Sequence, residues 1–519
     1  MSRRVGRRAL AAVAALAVTV VAGCAVEGQA ADPAGETDRP LRIATTWAIG
    51  SLDPITEAYW APEFGYGELL MRPTADGVVE PWLLESAESV TPTEWELVLR
   101  DGVTFQNGSP CDADAVAAAM NHQLANNPVL PPILPGATAA ATGPDTVVLT
   151  TSTPVSFLPA LLAQEDMFPI YDVAAYESAA GDPEALVGLG IHTGPYRVTE
   201  LTSSGMVLER YDDYWQGEPA LPGVEVSFIS DAQARVLAVQ SGEVDVALYP
   251  ATESAGTLEN SSAAHFVTGD GTLGPRLILN VQRSPMDEPA VRQALSAAID
   301  YEAMAKDVMN GFHDVAEGMY PMQLPYAVAN QAYDPDRAAQ LLDQAGWVRG
   351  SDGMRARDGV PLQLTLYTYR ADPDLPAIAV ALRSQLEESG IGIQIEELDD
   401  ISSIYDGDTG WHIALFRTGY YGTSGAVVGV IHDYLTSDGS RNAGGIADPE
   451  LDGLADQLSL AFEEEEQYDL LGQIQDIVMA RQVYSIVVSV KRASAVVSDT
   501  WRDYEPSAVY LHLDWRTQP

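Results

Sequence analysis

Thr193–Leu221 reads TGPYRVTELTSSGMVLERYDDYWQGEPAL, and its punctuation is that of a sheet edge. The runs PYRVTEL (Pro195–Leu201) and GMVLERY (Gly205–Tyr211) flank TSSG, the signature of a β-hairpin. Gly194 and Pro195 position the entering strand, because a proline at the start of a strand forfeits no ladder N–H. Arg210 and the Tyr211–Trp215 cluster are expected to cap an edge of the same unit.

Outward from this hairpin, strand-like and helix-like stretches alternate. LRIATTW (Leu41–Trp47) is a short strand, and EWELVLR (Glu94–Arg100) alternates apolar and polar residues at period two. CDADAVAAAMNHQLAN (Cys111–Asn126) is a helix with Asp112 as N-cap and Ala115, Met120 and Leu124 facing inward. DAQARVLAVQSGEVDVALY (Asp231–Tyr249) switches from helix to buried strand at Gly242, a left-handed cap. Glu288–Met309 has the 3.6-residue period of one long amphipathic helix. PLQLTLYTY, DLPAIAVALRSQLEESG and IGIQIEEL (Pro361–Leu398) form a strand–helix–strand unit. Pro449–Gln482 is a second long helical stretch, and the strands YSIVVSV and ASAVVS follow it. Interleaving of this kind defines an α/β fold.

Composition narrows the function. The chain has 519 residues, with 74 acidic against 28 basic side chains. Arg3, Arg4, Arg7 and Arg8 precede the apolar run Ala9–Val21, the layout of a secretory signal peptide over residues 1–23. Its removal leaves 24 basic against 74 acidic side chains, a net charge of −50. Such a surface repels nucleic acid, which is therefore not an expected partner. The two lysines, Lys306 and Lys491, are followed by Asp and Arg, so no Walker-type phosphate loop exists. After Cys24, Cys111 is the one remaining thiol, and no intrachain disulfide can form between residues beyond the leader and Cys24. The seven histidines are scattered singly, without metal-ligand spacing, so no metal site and no cofactor are expected. Glu463–Glu466 reads as a solvated helix face. GTSGA (Gly422–Ala426) lacks the final glycine of a nucleophile elbow, and an enzyme is not expected.

Several motifs carry a family resemblance. LRDGVTFQNGSPCDADAVAAAMN (Leu99–Asn121), the opening hairpin with its Tyr-Trp-Gly sequel, DAQARVLAVQSGEVDV, LNVQRSPMDEPAVRQALSAAID and YDPDRAAQLLDQAGW occur in order. Together they resemble the large solute-binding proteins, family 5, of peptide/nickel ABC importers, from Leu41 to the C-terminus. VAGCAVEG likewise resembles a lipobox, which implies lipid attachment at Cys24 and a tether over 24–39. The resemblance implies an extracytoplasmic, membrane-anchored monomer of the two-lobed periplasmic-binding-protein type, with an inserted lobe and a hinge. Lobe I would comprise 40–70, 180–268 and 487–519, lobe II 71–179 and lobe III 269–486, with hinge crossings near residues 268 and 486. ABC permease subunits with a cytoplasmic ATPase are the implied partners.

The cargo is less fixed by resemblance. ISSIYDGDTGWHIALFRTG (Ile401–Gly419) resembles the nickel-binding branch, whose strand also ends in Arg-Thr. That branch's two chelate-gripping arginines fall here near Asn121 or His122 and near Glu165, and its histidine falls within Thr436–Gly445, which has none. The Asp with which peptide-binding relatives hold the ligand's amine is missing from RTGYYGTSGA. Tyr59, Trp60, Tyr420 and Tyr421 are the candidate stacking walls, Arg417 the candidate carboxylate ligand, and Glu165 turns the site toward cationic or neutral solutes. A peptide is the expected solute; a nickel or other metal chelate, and a transport-independent sensor lipoprotein, are the alternatives.

Overall fold

The computed structural model describes residues 39–519 apart from 180, 272–273, 370–371, 373, 400, 406, 408–409 and 419–426. Cys24, Tyr420 and Tyr421 lie outside the described residues.

A seven-stranded mixed sheet is built around Leu41–Thr45, which pairs in parallel with both Gly223–Phe228 and Val246–Leu248. Leu41 and Ile43 face one apolar core and Ala44 another, so this strand is covered on both sides, as parallel strands require. Asp245, 1% exposed, fixes its start by pairing with Arg39 and Arg42. The opening hairpin forms one edge as Tyr196–Thr202 and Gly205–Arg210, with a bulge between Val198 and Glu200. Gly194 has a specific reason: a Cβ there would lie 2.5 Å from the Gly65 carbonyl oxygen and 2.8 Å from the Gly67 nitrogen.

A four-stranded antiparallel sheet (Leu84–Thr91, Glu94–Leu99, Thr146–Thr150, Thr138–Ala141) packs its own core against the helix Ala113–Asn126. Asp112 caps that helix through the Ala115 N–H at 3.1 Å. Met120 is fully buried, while Ala115 and Leu124 are half-buried. Gln106 knits this unit to the first: its amide, 5% exposed, donates to the carbonyls of Tyr66, Gly194 and Tyr196.

A five-stranded sheet takes the order Gly392–Leu398, Gln363–Tyr369, Ile413–Thr418, Gly274–Leu279, Ser485–Val487. Gln363–Tyr369 and Gly392–Leu398 are parallel, joined by the helix Leu375–Glu388. The chain passes from the seven-stranded to this sheet between Thr268 and Gly274, and returns between Val487 and Ser494. The two crossings lie backbone to backbone. A Cβ on Gly269, Gly271 or Gly274 would come within 2.4, 2.1 and 2.1 Å of the carbonyl oxygens of Pro506, Lys491 and Ser489.

Two long helices expected from periodicity are broken. Pro289–Ala297 stops before Asp300, whose carboxylate caps a new turn through the Ala303 N–H at 2.9 Å. Pro449–Leu460 and Glu464–Gln475 are separate helices. Ala461 is extended, and Glu464, Glu465 and Glu466 occupy the next first turn, where the helix dipole favours negative charge.

Candidate functional site

The carboxyl ends of two pairs of parallel strands face one another. Thr46 and Trp47 follow Leu41–Thr45, and Tyr249 follows Val246–Leu248. Opposite them, Tyr369 and Asp372 lie at the end of Gln363–Tyr369, and Arg417 near the end of Ile413–Thr418. Open α/β sheets bind ligands at this end of their strands. Here these residues, with Lys491, Tyr510 and His512, line a cavity of about 420 Å³, within the usual range for small-molecule sites.

One wall is aromatic, and two carboxyl groups, Glu63 and Glu165, stand outside its lining. Trp47 meets Tyr249 edge-on at 4.5 Å and Trp60 at 6.0 Å, and Tyr510 lies 6.2 Å from Tyr249. Tyr249 adopts φ 53°, a left-handed conformation uncommon outside glycine, and its hydroxyl bonds His512 Nε2 at 2.9 Å. His512 is 7% exposed, and burial lowers its pKa to about 4. A carboxylate oxygen of Glu63 sits 4.0 Å from that nitrogen and has no hydrogen-bond partner. Burial, and then the charge of Glu165, push the Glu63 carboxyl well above its ordinary range. The Glu165 carboxyl is itself pushed up to about 7, chiefly by burial, with Asp166 adding repulsion.

The other wall has its charges paired. Arg417 Nε lies 3.4 Å from Asp372 Oδ2. Burial opposes its charge, but Asp372 and the surrounding tyrosines outweigh that and hold its pKa raised. Across from it, on the seven-stranded side, Arg235 is spent on the backbone, donating to the carbonyls of Ile229, Ser230, Leu248 and Tyr249. Both walls meet at Tyr510, whose phenol is pushed up to about 12 by burial first, Arg417 opposing and Glu63, Glu165 and Asp372 adding to it.

The residues singled out from sequence are only partly gathered here. Arg417 lines the cavity, and Trp60 reaches it through Trp47 while donating from Nε1 to Glu57 at 2.8 Å. Tyr59 is 48% exposed and donates to Asp166 at 2.9 Å, beside Glu165. Sequence reasoning missed Trp47, Glu63, Tyr249, Tyr510 and His512. Trp47, directly after the first parallel strand, was the one with a readable signal. Among the described residues no group of three or more His, Cys, Asp or Glu side chains is placed to hold a metal ion.

The family model described as bacterial extracellular solute-binding proteins, family 5 Middle, matches residues 78–442. This chain belongs to that family. It is 24% identical over 514 residues to the nickel-binding protein NikA of Staphylococcus aureus, covering 96% of this chain and 97% of the relative. It is 28% identical to the glutathione-binding protein GsiB of Salmonella paratyphi A, over 59% of this chain and 58% of that one. The solved nickel ABC transporter structure from Bacillus halodurans superposes with a TM-score of 0.79 at 25% identity, covering 92% of this chain and 99% of the other. The family-5 fold is thus the two-lobed periplasmic-binding type. Family-5 members are extracytoplasmic solute-binding components of ABC importers, transport proteins rather than enzymes. No described helix is long and apolar enough to cross a membrane.

Proposed function

We propose that this family-5 protein captures a short peptide carrying a free amine, closes on it by a hinge, and delivers it to an ABC permease. One observation carries the reading: Tyr510, which lines the aromatic cavity together with Arg417, also feels the charges of Glu63 and Glu165, which stand outside the lining. A zwitterionic ligand matches that polarity. Its ammonium is drawn to Glu63 and Glu165, which have no Lys or Arg partner among the described residues, and its carboxylate competes with Asp372 for Arg417. Tyr59 and Trp60 border the acidic side, and Tyr420 and Tyr421 follow the Arg417 strand as candidate stacking groups.

The lobes proposed are 40–70, 180–268 and 487–519 (I), 71–179 (II) and 269–486 (III), hinged at the two crossings, of which the first is glycine-rich. Cys24 is proposed as the lipid attachment site after cleavage of residues 1–23, with 24–39 as tether and the mature protein a monomer. A metal chelate is the second reading, favoured by the similarity to the nickel-binding relative.

A thermal-shift series decides between them. Ligand that binds only the folded state stabilises it by RT ln(1 + [L]/Kd). Millimolar di- and tripeptides are expected to raise Tm by several degrees and nickel–histidine to leave it unchanged. The reverse result overturns the peptide reading.

A further inference from the structure

Asp374 occupies the N-cap position of the helix Leu375–Glu388, yet makes no side-chain cap bond. An aspartate there ordinarily accepts the N–H of the second or third helical residue. Instead its carboxylate, 3% exposed, is turned outward from the helix to three other segments. Oδ1 accepts the Thr252 hydroxyl at 2.8 Å, and Oδ2 is ion-paired with Lys491 Nζ. His313 Nε2 lies 3.5 Å from the same Oδ2, and its Nδ1 bonds Ser489 Oγ at 2.9 Å.

These partners come from different parts of the fold. Thr252 follows the strand Val246–Leu248 of the seven-stranded sheet. Asp374 belongs to the strand–helix–strand unit of the five-stranded sheet. Lys491 and Ser489 sit on the returning crossover, where Gly271 and Gly274 leave no room for a Cβ. Of the chain's two lysines, Lys306 is exposed and pairs within its own helical turn, whereas the Lys491 side chain is only 17% exposed. The single carboxylate therefore joins both sheets to the segment between them.

We propose that Asp374 is an interlobe latch: its bond to Thr252 holds the two sheets together in the ligand-free protein, and Lys491 holds the carboxylate in place for that bond. The inference rests on the hinge-closure reading above. Separation of the sheets breaks the Thr252 contact and leaves the Lys491 pair riding with the hinge. A ligand then meets a population already biased toward closure, and its apparent affinity depends on that fraction.

The test needs no ligand. Leu237 and Val380 are 61% and 52% exposed, on helices of the two opposing units. Spin labels at Leu237→Cys and Val380→Cys, in the chain carrying Cys24→Ser, report the interlobe distance; Cys111 is buried and stays unlabelled. Thr252→Val, which keeps the Asp374–Lys491 pair, is expected to raise the open-to-closed ratio about tenfold, the scale of a hydrogen bond to a charged group. Lys491→Met is expected to move it the same way, and Tm of Thr252→Val should match the parent. Distance distributions identical to the parent in both variants overturn the latch. A parent distribution with one narrow distance, unchanged by any peptide or chelate, overturns the hinge reading and the latch with it.

Discussion

The carboxyl groups on the two sides of the cavity are treated oppositely. On the five-stranded side Asp372 faces Arg417, and Asp374 faces Lys491. On the side of Trp47 and His512, Glu63 and Glu165 have no Lys or Arg partner among the described residues, and burial pushes both upward, with Glu165 adding to the shift of Glu63 and Asp166 to that of Glu165. A paired wall keeps its charge whether or not ligand is present. An unpaired, desolvated wall is stabilised only when a cation arrives, or when it takes up protons. The difference makes the acidic side responsive to an arriving cation, while the paired side keeps its charge and holds Arg417 in place.

The largest effect is expected at Asp374. Asp374→Ala leaves Lys491 part-buried without its counter-ion, and a loss of about 3 kcal/mol is expected, within the range for breaking a buried pair; urea denaturation measures it. The His313 contact and the Lys491 ammonium outweigh burial and hold the Asp374 carboxyl well below the ordinary range. Its contribution is therefore present at neutral pH and lost as pH falls through that depressed value. Arg417→Met comes next. Titration calorimetry should show about 10- to 100-fold weaker binding of a peptide with a free carboxylate, the scale of a lost charge-assisted bond. The C-terminally amidated peptide should lose little. Equal losses for both peptides would mean that Arg417 serves only to pair Asp372.

Glu165→Gln probes the other wall and has the opposite sign. A carboxyl with a raised folded pKa contributes stability below the unfolded value, near pH 4, and loses it as pH rises toward 7. The variant should match the parent at pH 4 and exceed it by about 1 kcal/mol at pH 8, read by Tm across pH. Binding of a lysine-rich peptide should weaken in the same variant. The smallest effect is expected at Trp47, 40% exposed. Trp47→Ala should cost about 1 kcal/mol of affinity, the worth of an aromatic contact beyond its area, with folding stability nearly unchanged.

Local chemistry was legible and distant chemistry was not. The turn at Thr202–Gly205 and the αL cap at Gly242 (φ 76°) follow from residues a few positions away. The break at Asp300 was hidden because apolar periodicity continues across it, while the capping bond that starts the next turn leaves no mark on that pattern. Gln106 lay inside a quoted motif, yet its three carbonyl partners stand 40 to 90 residues away. Glu68 is similar: burial pushes its carboxyl up to about 7, although Tyr214 and Trp215 of the opening motif donate to it at 2.6 and 3.1 Å. The Tyr-Trp cluster thus closes over a buried acid that nothing in its own stretch announces.

By itself, the sequence determined the α/β class, the acidic composition, the absence of a phosphate loop and the family, because each depends on composition or on short-range pattern. Only the tertiary structure decided which charges are paired and which stand open. Asp372 and Glu165 are the same chemical group in sequence. One folds against Arg417 and the other against Asp166 and a buried Glu63. Electrostatic energy depends on distance and on exclusion of water, and the fold sets both only when segments hundreds of residues apart close around one cavity.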